Sequence, residues 1–407
     1  MKIRDFKLEC YFGLYEFTAP YLLTQSDCES MTTEELLAME PGAKEGYLKQ
    51  WLGYTETWGD PELRKIIAGL YEDMEDKNVL VFHGAQEALF AYMNVMLDPG
   101  DHMIAMYPNY QSAYEVANSV PGCEFDKWMI RDDGEKWVVD FDELESLIRP
   151  NTKVIAVNSP NNPTGYTFTN SEIERLCDIC RKHGIYLLAD EVYKGIEMDG
   201  EKRNWMADRY DKCVSLGVMS KAYGLAGLRV GWLVSKDVET LSKVVKFKHY
   251  MSICDSAPSE YLSKVALKHS DELLERSRKL IEENIKIADE FFSKYDYLFS
   301  TRPIKAGPVA FHKLLIDMPV KDFCQMAVDK KGVLLLPATI YDMDEQYFRV
   351  GYGRKGVPEA LKKFEEFLIE NGFTRPSTGA KYSSRTSFPW KCRKTTGRPI
   401  SNPATAR

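Results

Sequence analysis

A chain of 407 residues with 44% hydrophobic and 28% charged side chains exceeds one typical domain and suits a two-lobed globular enzyme. No apolar run approaches the roughly 20 residues that cross a bilayer, and the opening MKIRDFKLECYF lacks a signal peptide's apolar core, so neither membrane insertion nor export is expected. The net charge of −8 is uneven: from Thr374 onward there are eight Lys/Arg and no Asp/Glu, leaving 45 basic against 61 acidic residues, or −16, on the rest, which argues against nucleic-acid binding.

Residues 1–45 form a lead-in segment in which Thr32 and Glu35 of TTEELLAM fit a capping box that starts a short helix. Asp60 then caps a helix with Pro61 at its first position, and Leu63, Ile66, Ile67, Leu70 and Tyr71 give that helix an apolar face. From Asn78 short apolar runs alternate with helical patterns: NVLVF, HMIAMY, TKVIAV, IYLLAD, VSLGVM and LRVGWLV read as strands. This rhythm predicts an α/β fold with a mostly parallel central sheet flanked by helices. Cys177 and Cys180 form a CxxC inside the amphipathic helix SEIERLCDICRKHG, where packing outweighs a redox or zinc role because no second ligand pair is near, so no metal is expected. Nine cysteines without framework spacing favour reduced thiols in a cytoplasm.

After Asp237 the chain becomes helical, and a long charged helix from Asp271 to about Tyr295 is suited to bridging two lobes. GPVAFHKLL, VLLLPAT, YFRVGYG and two helices then predict a second, smaller α/β domain. The expected division is a large domain at 46–274, a small domain at 1–45 plus 275–373, and a disordered basic tail at 374–407, rich in Ser, Thr, Pro and Arg.

Parallel sheets bind ligands outside the carboxyl ends of their strands, and the candidate chemistry collects there. Gly84, Ala85 and Gln86 open a helix after NVLVF, where backbone amides make an anion site. Tyr107 ends HMIAMY and could stack on a flat heterocycle, although a core tyrosine is the commoner use. Asn162 lies in NSPNNPTG after TKVIAV and can donate to a ring oxygen. Asp190 ends IYLLAD, where a buried carboxylate needs a partner such as a pyridinium N–H; Tyr193 follows three residues on. Ser220-Lys221 after VSLGVM, with Arg229 eight residues past the lysine, joins an imine-forming amine to a phosphate-binding fork. Any one of these could be a turn, a cap or a basic loop; what points to a site is their falling together at one sheet edge.

Asn162-Pro163-x-Gly165, Asp190-x-x-Tyr193 and Ser220-Lys221 with Arg229 resemble the class I/II aminotransferases, fold-type-I enzymes dependent on pyridoxal 5'-phosphate, over roughly Tyr54 to Phe373. The resemblance implies Lys221 as the Schiff-base lysine and proton shuttle, Asp190 as partner of the pyridine nitrogen, and Asn162 and Tyr193 on the ring oxygen. It implies Tyr107 as the stacking aromatic, and Gly84, Ala85, Gln86, Ser220 and Arg229 as the phosphate cup. Tyr54 resembles a tyrosine lent to the partner subunit's phosphate, implying a homodimer with a shared active site. Arg349 in YFRVGYG looks like the grip on the substrate carboxylate, beside Asn162. The family's second hydroxyl three residues before the lysine is Val218 here, and the lead-in lacks the usual glycine-containing approach. LECYF and SKAYGLAGLRVGW are also similar to the capreomycidine synthase subgroup, which uses the cofactor to eliminate and cyclise. Transamination of an L-amino acid with a 2-oxo acid is thus the leading expectation, a lyase or cyclase the alternative. An amino-acid sensor on this fold is disfavoured because no helix-turn-helix pattern precedes residue 45.

Overall fold

Seven strands build the central sheet: β1 Val79–Phe82, β2 His102–Tyr107, β3 Glu124–Met129, β4 Thr152–Asn158, β5 Tyr186–Asp190, β6 Cys213–Val218 and β7 Gly231–Val234. They are seen in a computed structural model that describes residues 2–375, so the tail expected at 374–407 lies almost wholly outside the described residues. The spatial order is β1-β7-β6-β5-β4-β2-β3, parallel throughout except for β7, which runs antiparallel to both β6 and β1. β1, β2, β6 and β7 are buried along their whole length, which is why they read as unbroken apolar runs; helices cover both faces of such a sheet. β3 is one of the two edge strands, and its EFDKWM is half solvent-facing with only Trp128 buried, so it carries no apolar run for sequence reading to find.

Helices enter and leave this sheet through short, well-marked termini. Ahead of it come α1, Lys7–Tyr15, and α2, Pro61–Ala68; Asp60 Oδ1 accepts the Leu63 amide of α2 at 2.9 Å, as its cap position requires. The capping box at Thr32 is also formed, with the Thr32 amide donating to Glu35 Oε2 at 2.7 Å. α3, Ala85–Met96, follows β1, and α4, Asn170–His183, follows β4. Cys177 and Cys180 lie on the buried face of α4, and burial pushes the Cys177 thiol up to about 12, so it packs as a small apolar group. α5, Ser270–Lys294, is the long helix anticipated from the sequence. Among the described residues no helix is long and apolar enough to cross a membrane.

A second sheet of four antiparallel strands comprises β8 Phe299–Ser300, β9 Val309–Leu314, β10 Leu336–Pro337 and β11 Tyr347–Gly351, in the order β8-β9-β11-β10. α6, Val320–Lys331, and α7, Val357–Glu370, pack on it, with Phe299, Phe323, Phe348 and Phe364 in ring-to-ring contact at 5.5–6.0 Å. The segment Leu23–Glu29 is threaded between the two sheets. The Gly351 amide donates to Leu23 O (3.0 Å), Glu29 N to Gly353 O (2.7 Å), and Cys28 N to Lys221 O (3.2 Å). Glycines make this passage possible: a Cβ at Gly351 would lie 1.9 Å from Gln25 O, and one at Gly353 2.3 Å from Asp27 O.

Candidate active site

A cavity of about 450 Å³ opens at the carboxyl edge of the central sheet, with α1 and the Leu23–Glu29 strap along its other side. Ala85, Gln86, Asn162, Asp190, Tyr193, Ser220, Lys221, Arg229 and Arg349 all line it, although the last is 264 positions from the first. Ala85 and Gln86, Asn162, Asp190 and Tyr193, and Ser220 and Lys221 arrive at the carboxyl ends of four strands of the central sheet, the placement expected of a parallel sheet, while Arg349 comes from a strand of the second sheet.

One end of the cavity is built for an anion. Gly84 takes φ +88° at the start of α3, and no side chain caps that helix, so the first-turn amides of Ala85 and Gln86 have no helical acceptor. The Arg229 guanidinium stands over this terminus: a Cβ on Gly84 would meet its Nη2 at 2.7 Å. Arg229 itself is held with φ +53°, its Nη1 donating to Ala226 O (3.2 Å) and Ser220 Oγ (3.4 Å), and it pairs with no carboxylate among the described residues. Gly231 lets β7 approach, since a Cβ there would sit 2.7 Å from the Ala85 nitrogen. An unpaired guanidinium, a hydroxyl and an uncapped helix terminus make a phosphate-sized cradle.

The floor carries Asp190, whose carboxylate accepts one weak bond, from the Val192 amide at 3.3 Å. Burial raises its pKa to about 7, with the Lys221 charge opposing that rise. A buried carboxyl with an unfilled oxygen fits a protonated ring nitrogen, which would return it to the ionised form. Lys221 stands beside it; burial lowers its pKa and so does Arg349, against the opposing charges of Asp27, Glu9 and Asp190. Its Nζ donates to Ser26 Oγ at 3.1 Å.

Arg349 is fully buried and yet has no carboxylate partner among the described residues. Its Nε and Nη2 donate to Thr24 O (3.0 and 2.7 Å), and Nη1 donates to Asn162 Oδ1 (2.9 Å) and the Tyr341 hydroxyl (2.8 Å). The fork therefore keeps one Nη2 hydrogen for something else. A buried, uncompensated cation is costly unless an anion joins it. Tyr341 also donates to Asn162 Oδ1 at 2.8 Å, so this oxygen is fully occupied and the Asn162 amide NH₂ is left to donate into the cavity. Taken together, the cradle, the Asp190 floor and the Lys221 amine fit pyridoxal 5'-phosphate.

Two of the tyrosines singled out in the sequence lie outside the cavity. Tyr107 does not reach the cavity: its ring is in the core beneath Lys127 Nζ (3.9 Å to the centroid), and its hydroxyl donates to Tyr341 O. Tyr110, three residues on, lines the cavity instead, its ring 4.8 Å from Phe6 and its hydroxyl donating to Glu9 Oε1 at 2.7 Å. The strand continues inward through Tyr107, and the turn after it brings the Tyr110 ring to the cavity. Tyr54 is 84% exposed, close in sequence to the equally exposed Trp51 and Leu52, and touches nothing in the cavity of its own chain. Sequence reading also missed Glu9, Gln25, Ser26 and Asp27, which line the cavity from the lead-in. The sequence marked only their region: a lead-in without the glycine-containing approach, with the substrate's side-chain determinants expected within residues 8–30.

The aminotransferase class I and II family model matches residues 22–364. The chain is 27% identical to an aspartate aminotransferase of Sulfurisphaera tokodaii over 80% of its length and 85% of that protein. It is 25% identical to the capreomycidine synthase of Streptomyces vinaceus over 83% of its length and 86% of that enzyme. The crystal structure of a PLP-dependent aminotransferase from Streptococcus suis superposes with a TM-score of 0.85 at 31% identity, covering 91% of this chain and 99% of the other.

Proposed function

The chain belongs to the aminotransferase class I and II family and is a pyridoxal-phosphate-dependent aminotransferase, and on that premise we propose that Lys221, Asp190, Asn162, Tyr193 and Arg349 divide the work of transamination. The observation that carries this reading is that the Lys221 amine and the Arg349 guanidinium, neither of them ion-paired among the described residues, share one cavity with the buried Asp190.

Ala85, Gln86, Ser220 and Arg229, with Gly84 giving room, would hold the cofactor's phosphate; Asp190 would hold its ring nitrogen, Asn162 and Tyr193 its ring oxygen, and Lys221 its aldehyde carbon. Bound there, the cofactor supplies an electron sink for the substrate α-carbon. Arg349 takes the substrate carboxylate with its spare Nη2 hydrogen and so turns the α-C–H towards Lys221. The free Lys221 amine would remove that proton, and its lowered pKa favours the unprotonated form this needs. Tyr110 takes the stacking role expected of Tyr107.

We take the enzyme to be a homodimer in which Tyr54 reaches the partner's phosphate cradle; the exposure of Tyr54 and of Trp51 and Leu52 beside it supports this. We further take residues 46–274 as the large domain, 1–45 plus 275–373 as the small one, and the cytoplasm as the site of action, the last from cysteine usage. Elimination or cyclisation would begin with the same proton removal, and the likeness to capreomycidine synthase keeps it as the competing outcome. Incubating the holoenzyme with single L-amino acids separates them. A 2-oxo acid and pyridoxamine phosphate support transamination; ammonia or a cyclised product without pyridoxamine phosphate would replace it with elimination.

A further inference from the structure

Ser26 belongs to none of the motifs that identify the family, yet its Oγ lies 3.1 Å from Lys221 Nζ and is the one acceptor that this amine has among the described residues. We propose that Ser26 is a further catalytic residue, whose hydroxyl fixes the Lys221 amine in direction and takes up part of its charge during proton transfer. The proposal rests on Lys221 being the base of the transamination.

The strap that carries Ser26 is held by its backbone. Leu23 O, Cys28 N and Glu29 N make its hydrogen bonds to the surrounding elements, and Thr24 O takes the Arg349 fork. Asp27 is ion-paired to Arg354 at 2.6 Å, which fixes the next residue from the small-domain side. None of these contacts uses the Ser26 side chain, so the hydroxyl is free of a structural task while the backbone sets its place. The residue is 8% exposed, and that opening faces the cavity. Tyr193 lines the same cavity.

A neutral lysine amine has two hydrogens and one lone pair, and it rotates freely unless something holds a hydrogen. With one N–H on Ser26 Oγ, the lone pair keeps a fixed angle. In the transfer the substrate C–H bond breaks, its electron pair stays with the carbon, and a third N–H bond forms on Lys221. The resulting ammonium is disfavoured by burial and by Arg349. Ser26 remains as acceptor and, with the charges of Asp27, Glu9 and Asp190, lowers that cost. Reversal delivers the same proton without a change of partner.

The test uses full-length Ser26→Ala, Ser26→Gly and Ser26→Thr. In cofactor-free protein, the rate at which Lys221 captures added pyridoxal phosphate is followed by absorbance against pH. Loss of the acceptor should move the Ala and Gly profiles down by about one pH unit, and Thr should stay with the wild type. In holoenzyme, exchange of the substrate α-hydrogen with D₂O should slow by about 10- to 100-fold in Ala and Gly, with KM nearly unchanged, and recover in Thr. Profiles and exchange rates in Ala equal to the wild type would overturn the proposal. So would a loss in which KM, cofactor retention and the Thr variant fall together, the mark of a displaced strap. The capture profile needs no amino acid, so it decides the role of Ser26 even where the wild type turns out to exchange none and the transamination reading fails.

Discussion

Arg349 Nη1 donates to Asn162 Oδ1 across 2.9 Å, joining β11 of the second sheet to the loop that follows β4 of the first. With the Tyr341 hydroxyl bonded to both, the three side chains form a closed triangle inside the protein. The triangle fixes the Asn162 amide and the Arg349 fork in one step, so the proposed grip on the substrate and the proposed contact to the cofactor ring are set by the same geometry.

Arg349→Lys should therefore behave almost as badly as Arg349→Ala. A lysine can donate to Thr24 O or to Asn162, but it cannot span both and still present a planar fork. KM for the best amino-acid substrate is expected to rise by about 100-fold in either variant, from the loss of a charge-assisted pair, with a smaller effect on kcat. Steady-state kinetics read this; an unchanged KM in Arg349→Ala would remove Arg349 from the carboxylate site.

Asp190 makes the cofactor-free protein sensitive to pH in a calculable direction. Its carboxyl titrates near 7 when folded and at about 3.9 when unfolded. Between those values the folded chain holds a proton that the unfolded chain has lost, so stability falls as pH rises from about 4 to 7, by up to about 4 kcal/mol. Glu260, raised to about 7 by burial, adds a slope of the same sign. Urea titrations of the cofactor-free protein at several pH values should show this decline. Asp190→Asn should flatten it without abolishing it, and should weaken cofactor binding by about 100-fold, because an amide cannot balance a protonated ring. A slope equal to the wild type in that variant would contradict the assignment.

How much of this was visible beforehand depended on what fixes each residue. Lys221, Asp190, Asn162 and Arg229 follow strands whose apolar runs are unmistakable, so their arrival at one edge follows from the parallel topology. Tyr107 falls in the core and Tyr110 at the cavity, because the sequence places Tyr107 at a strand end but cannot say which way its side chain turns. Ser26, Gln25 and Glu9 were out of reach for a different reason. They belong to a lead-in whose path is set by clearances at Gly351 and Gly353, more than 320 residues away in the chain. α1 escaped notice because it is short, with Gly13 in its sequence and only Leu8 and Phe12 buried.

Gly351→Ala tests that clearance directly. The new Cβ would stand 1.9 Å from Gln25 O, a backbone atom that cannot swing aside. The expected result is a loss of about 3 kcal/mol or more, or a strap displaced from Lys221. Gly227→Ala is the control, since nothing lies within 4 Å of a Cβ there. Thermal melts compare the two, and equal melting temperatures would show that the strap is looser than its contacts imply.

The exposed surface near Tyr54 leads to the last prediction. Leu48, Trp51, Leu52 and Tyr54 are 74–84% exposed along one short stretch, an apolar concentration that an isolated chain would leave in water. In a two-fold dimer each cavity would combine Lys221 of one chain with Tyr54 of the other. Tyr54→Phe should weaken cofactor retention by about 10-fold through a lost hydrogen bond to the phosphate, and Lys221→Ala should abolish turnover. Refolded together one to one, these two variants should regain about a quarter of the wild-type activity, since half the dimers are mixed and each mixed dimer holds one complete site. Were Tyr54 to serve its own chain, mixing would leave the activity at half that of Tyr54→Phe alone, and the shared-site arrangement would be wrong. Sedimentation of a Trp51→Ser, Leu52→Ser variant, expected to shift to the monomer, checks the same surface without reference to activity.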